Sequence, residues 1–406
     1  MFLTLLHRLQ TLRTPVRSLI YLFWIYAFTN SLVVTFIQIA IFKMFSSLQV
    51  NIISGMFVFT GIMVGFSIFG YILSHYKLDA KQGFYYSFIS FAVGVLIISQ
   101  ATTIPVSYLA TFMYGLGSGF FWLTIHTYEL TETKDEERDF YSSVLTSGRK
   151  IIEILGPLFA TGIIWVSLYV LHTSSFGLLF IVTPLFYLLG LFCFKGIKEY
   201  RPERIEFEDA KHYFSDKKNN IAQLYIFGGG LQHLIGKVIP PLVLFYILGT
   251  ELHVGIYSTV VGILSIIIVM ALGHFRNKGN RIFLFGISAI GISILSIMLG
   301  YSLTFFVLTI YTIGVTILTP IMNVSDHVVA LQTIESIGRT NKDFYATMIL
   351  RDVSLWIYRM SAGIILLIAT SFYSSTEQIL SFGLYVLAVA IFITFIGAKI
   401  LVNKMK

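Results

Sequence analysis

Two oppositely charged residues, Arg149 and Glu153, lie well inside a long apolar stretch of the sequence. They are four residues apart, so on a helix they share one face and can form an ion pair. A charge inside a membrane-spanning helix costs at least about 2.5–3.5 kcal/mol and usually faces an interior cavity. The pair is therefore either a structural ion pair or a group that binds a substrate or a proton.

A second apolar stretch carries Arg351, Asp352 and Arg359. Arginine stays protonated inside proteins, so each guanidinium needs an anion, carbonyl groups or water nearby. Arg359 lies about 22 Å from the start of this stretch on a helix, too deep to reach the membrane surface by extension. With Tyr358 beside it, Arg359 is predicted to contact an anion; the alternative is a salt bridge to Glu153 or Asp352.

A third apolar stretch contains the polar residues Gln232, His233 and Lys237. Three consecutive glycines precede them and two prolines follow, a pattern typical of the discontinuous helices that form transporter sites. The alternative is a kinked helix whose glycines allow close packing. Lys237 could titrate when it is desolvated. Glu153, His233 and Lys237 are the candidates in these stretches to take up and release a proton.

Asn30 lies near the middle of the first apolar stretch and is predicted to line the same path. Other charged residues are placed where salt bridges could close an inner gate; these gating candidates are Glu129, Arg138, Asp326, Arg351 and Asp352. His126 lies three residues before Glu129, but a closed metal site needs four ligands. No metal and no cofactor is therefore predicted.

The composition indicates which kind of fold must position these residues. Of 406 residues, 56% are apolar and only 12% are charged, about half the roughly 25% of an ordinary soluble domain. This balance excludes a soluble globular protein and a disordered chain. The single Cys193 excludes a disulfide scaffold. The sequence therefore predicts an all-α protein that crosses the lipid bilayer many times.

Twelve apolar runs reach the length of about 20 residues that a helix needs to cross a bilayer. They are 18–43, 52–74, 82–101, 105–128, 141–171, 174–194, 221–247, 254–274, 282–300, 303–326, 343–371 and 378–399. Two of them contain glycine pairs spaced for close helix packing, Gly61 with Gly65 and Gly115 with Gly119. Continuous apolar runs of this length are typical of helices rather than of barrel strands.

Lys and Arg are concentrated in alternate connections between the runs. The connections near 45–51, 102–104, 172–173, 248–253, 301–302 and 372–377 contain neither residue. Because positive residues stay on the cytoplasmic side, both termini are predicted to be cytoplasmic, in a multi-pass protein of the cell membrane. The same distribution accounts for the net charge of +8 without a nucleic-acid partner.

The connection 195–220 is long and charged, and it divides the sequence into a six-helix half at 1–194 and another at 221–406. Arg138-Asp139-Phe140-Tyr141 follows the fourth run, and Lys342-Asp343-Phe344-Tyr345 follows the tenth. Two matching segments at equivalent places indicate an internal repeat, and parallel six-helix repeats are a known transporter architecture.

With twelve runs, two halves and a charged central connection, the sequence resembles the major facilitator superfamily. Gly156-Pro157 fits the family's motif in the fifth span. Gly70 fits the motif between the second and third spans, where Ser74 stands in place of the family's acidic residue. The resemblance implies that spans one, four, seven and ten line a central path.

The predicted function is secondary active transport of a small organic solute, anionic or amphiphilic, by alternating access with a proton or another ion. The chain is predicted to be a monomer and not an enzyme, and it contains no GxxxxGK[ST] nucleotide-binding loop. Two alternatives remain open. One is a membrane-embedded enzyme for lipid-linked substrates, with His126/Glu129 or Asp326/His327 as its chemistry; the other is a transport-inactive scaffold.

Overall fold

Thirteen helices and no strand occur in the residues that the computed structural model describes, which are 12–133, 135–174, 176–194, 196–215, 217–272, 281–337 and 344–405. For some helical residues in these ranges only the backbone is described. Among the predicted site residues, the side chains of Arg138 and Glu153 therefore lie outside the described structure. The predicted Arg149–Glu153 ion pair stays a prediction for that reason.

The helices follow the apolar runs along the chain. They are α1 Thr14–Phe45, α2 Leu48–His75, α3 Gln82–Ser99, α4 Ile104–Glu132, α5 Asp135–Tyr169, α6 Gly177–Leu189, α7 Phe207–Ser215, α8 Lys217–Leu248, α9 Glu251–Leu272, α10 Arg281–Tyr301, α11 Phe305–Ile337, α12 Phe344–Phe372 and α13 Thr376–Met405. Helix α2 contains one π-helical turn, Val64–Ile68, and a 3₁₀ turn, Gly190–Phe192, extends α6.

The prediction of an all-helical chain is confirmed. In the part of the chain that the structure describes, each apolar run coincides with a helix, and only α7 lies outside the runs, in the central connection. Among the described residues, eight helices are long and apolar enough to cross a membrane: α1, α2, α3, α8, α10, α11, α12 and α13. Helices α5, α6 and α9 contain shorter apolar segments. Twelve crossings therefore stay a prediction.

The chain divides into two compact units. Unit 1 comprises 1–40, 60–204 and 251–262, and unit 2 comprises 41–59, 205–250 and 263–406. Each unit thus takes one segment from the other half of the sequence.

Close contacts hold segments 41–59 and 251–262 against the other parts of their units. A Cβ atom on Gly55 would lie 2.6 Å from Val238 Cγ2, within unit 2. A Cβ atom on Gly255 would lie 2.1 Å from Thr161 Oγ1, within unit 1. Since glycine has no side chain at either place, the helix backbones can approach closely.

In unit 1, α3 packs against α4 and α6, and α4 also packs against the π turn of α2. A Cβ atom on Gly65 would lie only 2.5 Å from the Leu116 carbonyl oxygen, and one on Gly119 only 2.4 Å from the Ile62 carbonyl oxygen. The glycine pairs therefore do allow α2 and α4 to pack closely, as the sequence indicates. Buried aromatic rings fill the neighbouring core; Phe91 and Tyr187 stack with ring centres 4.7 Å apart.

In unit 2, α8 packs against α12 and α13, and α10 packs against α11 and α13. Helix α8 runs without interruption through its three glycines and through Pro240 and Pro241. A Cβ atom on Gly228 would lie 2.5 Å from the Thr394 backbone nitrogen of α13, and one on Gly230 would lie 2.5 Å from Tyr358 Cβ of α12. These glycines allow close packing, which favours that alternative over a discontinuous helix.

The first part of the central connection is bound to unit 1. The Tyr200 backbone N–H donates to Asp79 Oδ1 at 3.1 Å, and the Ala80 N–H donates to the Tyr200 carbonyl at 2.8 Å. The Lys81 ammonium donates to the Ile197 carbonyl at 3.2 Å. This part of the connection is therefore held to unit 1 by hydrogen bonds.

The second part of the connection, α7, is bound to unit 2, where it packs against α8 and α12. Asn219, which is buried, donates from Nδ2 to the Tyr213 carbonyl at 2.7 Å. Burial also raises the pKa of the Tyr213 hydroxyl. Along the central connection, unit 1 ends at Arg204 and unit 2 begins at Ile205.

Candidate functional site

Arg359 on α12 is a buried charged residue of unit 2, only 6% exposed. Its Nη1 donates to Asp352 Oδ1 at 3.1 Å, and Asp352 is also 6% exposed. The residues are seven positions apart, two helical turns, so both side chains lie on one face of α12. Arg359 Cζ lies 4.9 Å from the centre of the Phe59 ring, within cation–π distance. The salt bridge to Asp352, left open by the sequence, is therefore formed.

Arg359 also connects α12 to the polar residues of α8. Its Nη2 lies 3.2 Å from Nδ1 of His233. The His233 side chain is exposed although its helix is apolar, and Lys237 lies one turn further along α8 and is half-buried. His233 and Arg359 are thus brought together across α8 and α12, and Lys237 follows His233 on the same helix.

Positions next to His233 on α8 border open space. Gln232 is half-buried, and a Cβ atom added to Gly229 or Gly236 would meet no atom within 4 Å. Gly229, His233 and Gly236 follow a spacing of four and three residues, so they share one face of the helix. This face of α8 is open, in contrast to the two faces beside it, one carrying Gly228 against α13 and the other carrying Gly230 against α12.

The two glycine environments predict opposite effects on stability. Gly230→Ala should lower the free energy of unfolding by about 1–3 kcal/mol, because the methyl group collides with Tyr358. Gly236→Ala should leave it unchanged or raise it by up to about 1 kcal/mol, because alanine is the better helix former. Equilibrium unfolding in mixed detergent micelles measures both changes. Equal losses in the two variants would contradict the packing described here.

Tyr358 belongs to a chain of side-chain hydrogen bonds that reaches the central connection. Its hydroxyl donates to Gln223 Oε1 at 3.0 Å, and Gln223 Nε2 donates to Asn219 Oδ1 at 3.1 Å. Asn219 in turn holds the Tyr213 carbonyl. Tyr358 is therefore fixed from the α7 side and is half-buried beside Arg359.

Gln223 and Phe59 are site residues that the sequence prediction missed. Gln223 is a polar residue in an apolar run, and this signal could have placed it in the predicted set. Phe59 had no such signal, because its role depends on which ring the fold brings against Arg359.

The gating candidates of the two units have aromatic partners. Glu129 accepts a hydrogen bond from the Tyr141 hydroxyl at 2.9 Å and pairs with His126 Nδ1 at 2.9 Å. Asp326 accepts one from the Tyr225 hydroxyl at 2.7 Å. A gating role for both carboxylates stays a prediction.

Arg351 is the remaining gating candidate on α12. It is half-buried, and its Nε atom is buried without a hydrogen-bond partner among the described residues. Within that part of the chain, no group of three or more His, Cys, Asp or Glu side chains could hold a metal ion.

In unit 1, the predicted residues Asn30 and Arg149 lie on different helices. Asn30 Oδ1 accepts a hydrogen bond from the hydroxyl of Tyr114, which is buried on α4. Arg149 on α5 is exposed and close enough to Tyr26 for an electrostatic interaction. Trp122, half-buried on α4, contacts the Tyr26 ring edge-on with ring centres 5.8 Å apart. An aromatic surface next to an exposed cation is therefore available in this unit.

Comparisons with known proteins test the family resemblance. No curated protein sequence matches the chain. The fold is similar to the crystal structure of the human organic anion transporter MFSD10 (TETRAN), with a TM-score of 0.64 and 12% identity over 94% of this chain and 99% of that chain. It is also similar to the nucleoside transporter NupG, with a TM-score of 0.63 and 13% identity over 95% of this chain and 98% of that chain. At these identities, the likeness shows the fold alone.

The family itself follows from the sequence match. A sequence model described as Major Facilitator Superfamily matches residues 19–340, which is more than half of the chain. Together with the shared fold, this match indicates a multi-pass membrane transporter rather than an enzyme. The chain belongs to the major facilitator superfamily.

Proposed function

We propose that the protein is a secondary active transporter that moves a small organic solute by alternating access. The observation that carries the proposal is the open face of α8, where an exposed histidine and a half-buried lysine lie within a long apolar stretch of the helix. Charged and polar groups are costly inside a membrane, and they usually face a cavity where they contact a substrate or an ion. His233 and Lys237 are the groups proposed to do so.

The solute is proposed to be an anion. Arg359 is matched by Asp352, so its charge contributes little to the attraction of an anion from a distance. Lys237 on α8 and the exposed Arg149 on α5 are the cations proposed to attract it.

The proposal also covers the groups that couple protons to transport, the oligomeric state and the location in the cell. Proton coupling is proposed to use Lys237 or Glu153, because each can change its protonation state while arginine cannot. His233 is left out of this role because the Arg359 guanidinium against its Nδ1 disfavours a second proton on the ring. The protein is proposed to act as a monomer in the cell membrane. Both termini are proposed to lie in the cytoplasm, from the distribution of Lys and Arg along the sequence.

Uptake into proteoliposomes with an imposed pH gradient tests this proposal. The probes are radiolabelled benzoate, lactate and glutamate, with lysine as a cationic comparison. We expect uptake of a carboxylate probe and an about tenfold loss in Lys237→Ala, equivalent to about 1.4 kcal/mol of binding free energy. Lys399→Ala, which removes an exposed lysine of α13, is the matched control.

Two results would count against the proposal. One is uptake of lysine in preference to all three carboxylates, which would reject an anionic solute. The other is equal loss in the Lys237 and Lys399 variants, which would show that charge removal alone explains the effect.

A further inference from the structure

We propose that Arg359 and Asp352 hold His233 as the neutral tautomer with its proton on Nε2, so that His233 donates a hydrogen bond to an oxygen atom of the transported solute. This inference rests on the proposed transport function. It adds to that function the side chain that donates the hydrogen bond and the type of solute atom that accepts it.

The first step is the direction of the hydrogen bond between α12 and α8. A guanidinium has five N–H donors and no acceptor. The 3.2 Å contact between Arg359 Nη2 and His233 Nδ1 therefore requires a lone pair on Nδ1. A neutral imidazole carries one proton, so that proton is on Nε2. A doubly protonated ring would instead direct an N–H group at the arginine.

The second step is the orientation of the guanidinium. Its Nη1 is held by Asp352 Oδ1 at 3.1 Å, and its carbon lies over the Phe59 ring at 4.9 Å. Because the guanidinium is planar, these two contacts fix the direction in which Nη2 donates. Arg359 and Asp352 are therefore positioning residues that act through His233.

The third step is the accessibility of the donor. The His233 ring is exposed, whereas the Arg359 group against its Nδ1 is buried. The accessible edge of the ring is thus the edge that carries Nε2–H. The neighbouring positions Gly229 and Gly236 leave open space beside it.

The chemistry of this donor defines the ligand class. An N–H donor is satisfied by a carboxylate, phosphoryl or carbonyl oxygen, and a solute without such an acceptor leaves the donor unpaired when water is displaced. The charge of Arg359 is balanced by Asp352, so His233 selects an acceptor oxygen, while the overall charge preference comes from other residues.

Nitrogen-15 NMR of the full chain in lipid nanodiscs, labelled at histidine, tests the tautomer directly. His233→Gln identifies the His233 signals by their loss. We expect a pyridine-type Nδ1 and a pyrrole-type Nε2 for this ring. A protonated Nδ1, a doubly protonated ring or a mixture of tautomers would overturn the proposal. Arg359→Gln should replace the single tautomer by a mixture, and the wild-type spectrum remains decisive if that variant does not fold.

Uptake of the three carboxylate probes tests the contact with the solute. Glutamine can place an N–H group near the position of Nε2, whereas asparagine reaches only the position of Nδ1. We therefore expect His233→Asn to transport about tenfold more slowly than His233→Gln. Equal rates in the two variants would overturn the contact. Failure of the wild-type chain to transport any probe would count against the proposed function alone, because the NMR result decides the tautomer independently.

Discussion

Asp352→Asn is expected to lower the free energy of unfolding by about 3–5 kcal/mol, because it leaves the buried Arg359 guanidinium without its counter-charge. The two side chains are only 7% and 8% exposed, so water cannot replace the lost carboxylate. Asparagine has nearly the same volume as aspartate, and the loss therefore reports the charge rather than a cavity. Equilibrium unfolding in mixed detergent micelles, followed by tryptophan fluorescence, measures it.

A double variant separates the destabilisation caused by an unpaired charge from the contribution of the ion pair to the free energy of unfolding. Asp352→Asn combined with Arg359→Gln removes both charges and should recover most of the loss, because two neutral amides need no counter-ion. Glu199→Gln is the control, since it breaks an ion pair with Arg201 that is exposed on both sides and should change stability by no more than about 0.5 kcal/mol. A loss below about 1 kcal/mol in Asp352→Asn would contradict the buried pair.

The partner of Arg359 could be predicted from the sequence as one of two alternatives. Asp352 is two helical turns away, and residues so spaced share a face. The contact with His233 could not be predicted in this way, because it depends on which face of α8 meets α12. Gly230 is one of the residues of α8 that face α12, since a Cβ atom there would lie 2.5 Å from Tyr358 Cβ.

The continuity of α8 shows where local propensity is overridden. Three glycines and two prolines each disfavour a helix on their own. In an apolar surrounding, however, an interrupted helix leaves backbone groups without hydrogen bonds, which costs several kcal/mol per group. Packing of α8 against α12 and α13 adds to this, so the helix continues from Lys217 to Leu248.

The central connection is the part of the fold that the sequence predicted least well. Its charge marked it as a connection between halves, but nothing in its composition indicated helix α7 or the attachment of residues 196–204. The family motif gave no signal either, because Ser74 occupies the place of the acidic residue. Asp79, five residues after Ser74, supplies a carboxylate to the connection between α2 and α3. Its contact with Tyr200 depends on the path of the backbone, which the spacing of a sequence motif does not predict.

Asp79→Ala is expected to lower the free energy of unfolding by about 3 kcal/mol and to release the first part of the central connection. Asp79 Oδ1 accepts hydrogen bonds from the Tyr200 N–H at 3.1 Å, from the Lys81 N–H at 3.0 Å and from the Tyr128 hydroxyl at 3.2 Å. Hydrogen bonds to a charged group contribute about 1.5–3 kcal/mol each, and Tyr128 is buried, so its hydroxyl would lose its partner without gaining water.

Limited trypsin digestion followed by mass spectrometry tests the release, alongside unfolding in mixed micelles. Lys198, Arg201 and Arg204 have exposed side chains, but their backbone is held to unit 1, which should keep cleavage slow in the wild-type chain. Cleavage at these sites should become faster in Asp79→Ala and change less in Asp79→Asn, which keeps one acceptor oxygen. Asp209→Ala is the spatial control, because Asp209 binds the Glu206 N–H in unit 2. Wild-type cleavage rates in Asp79→Ala would show that the other contacts of the connection are sufficient to anchor it, since local opening and not exposure of the side chains limits the digestion.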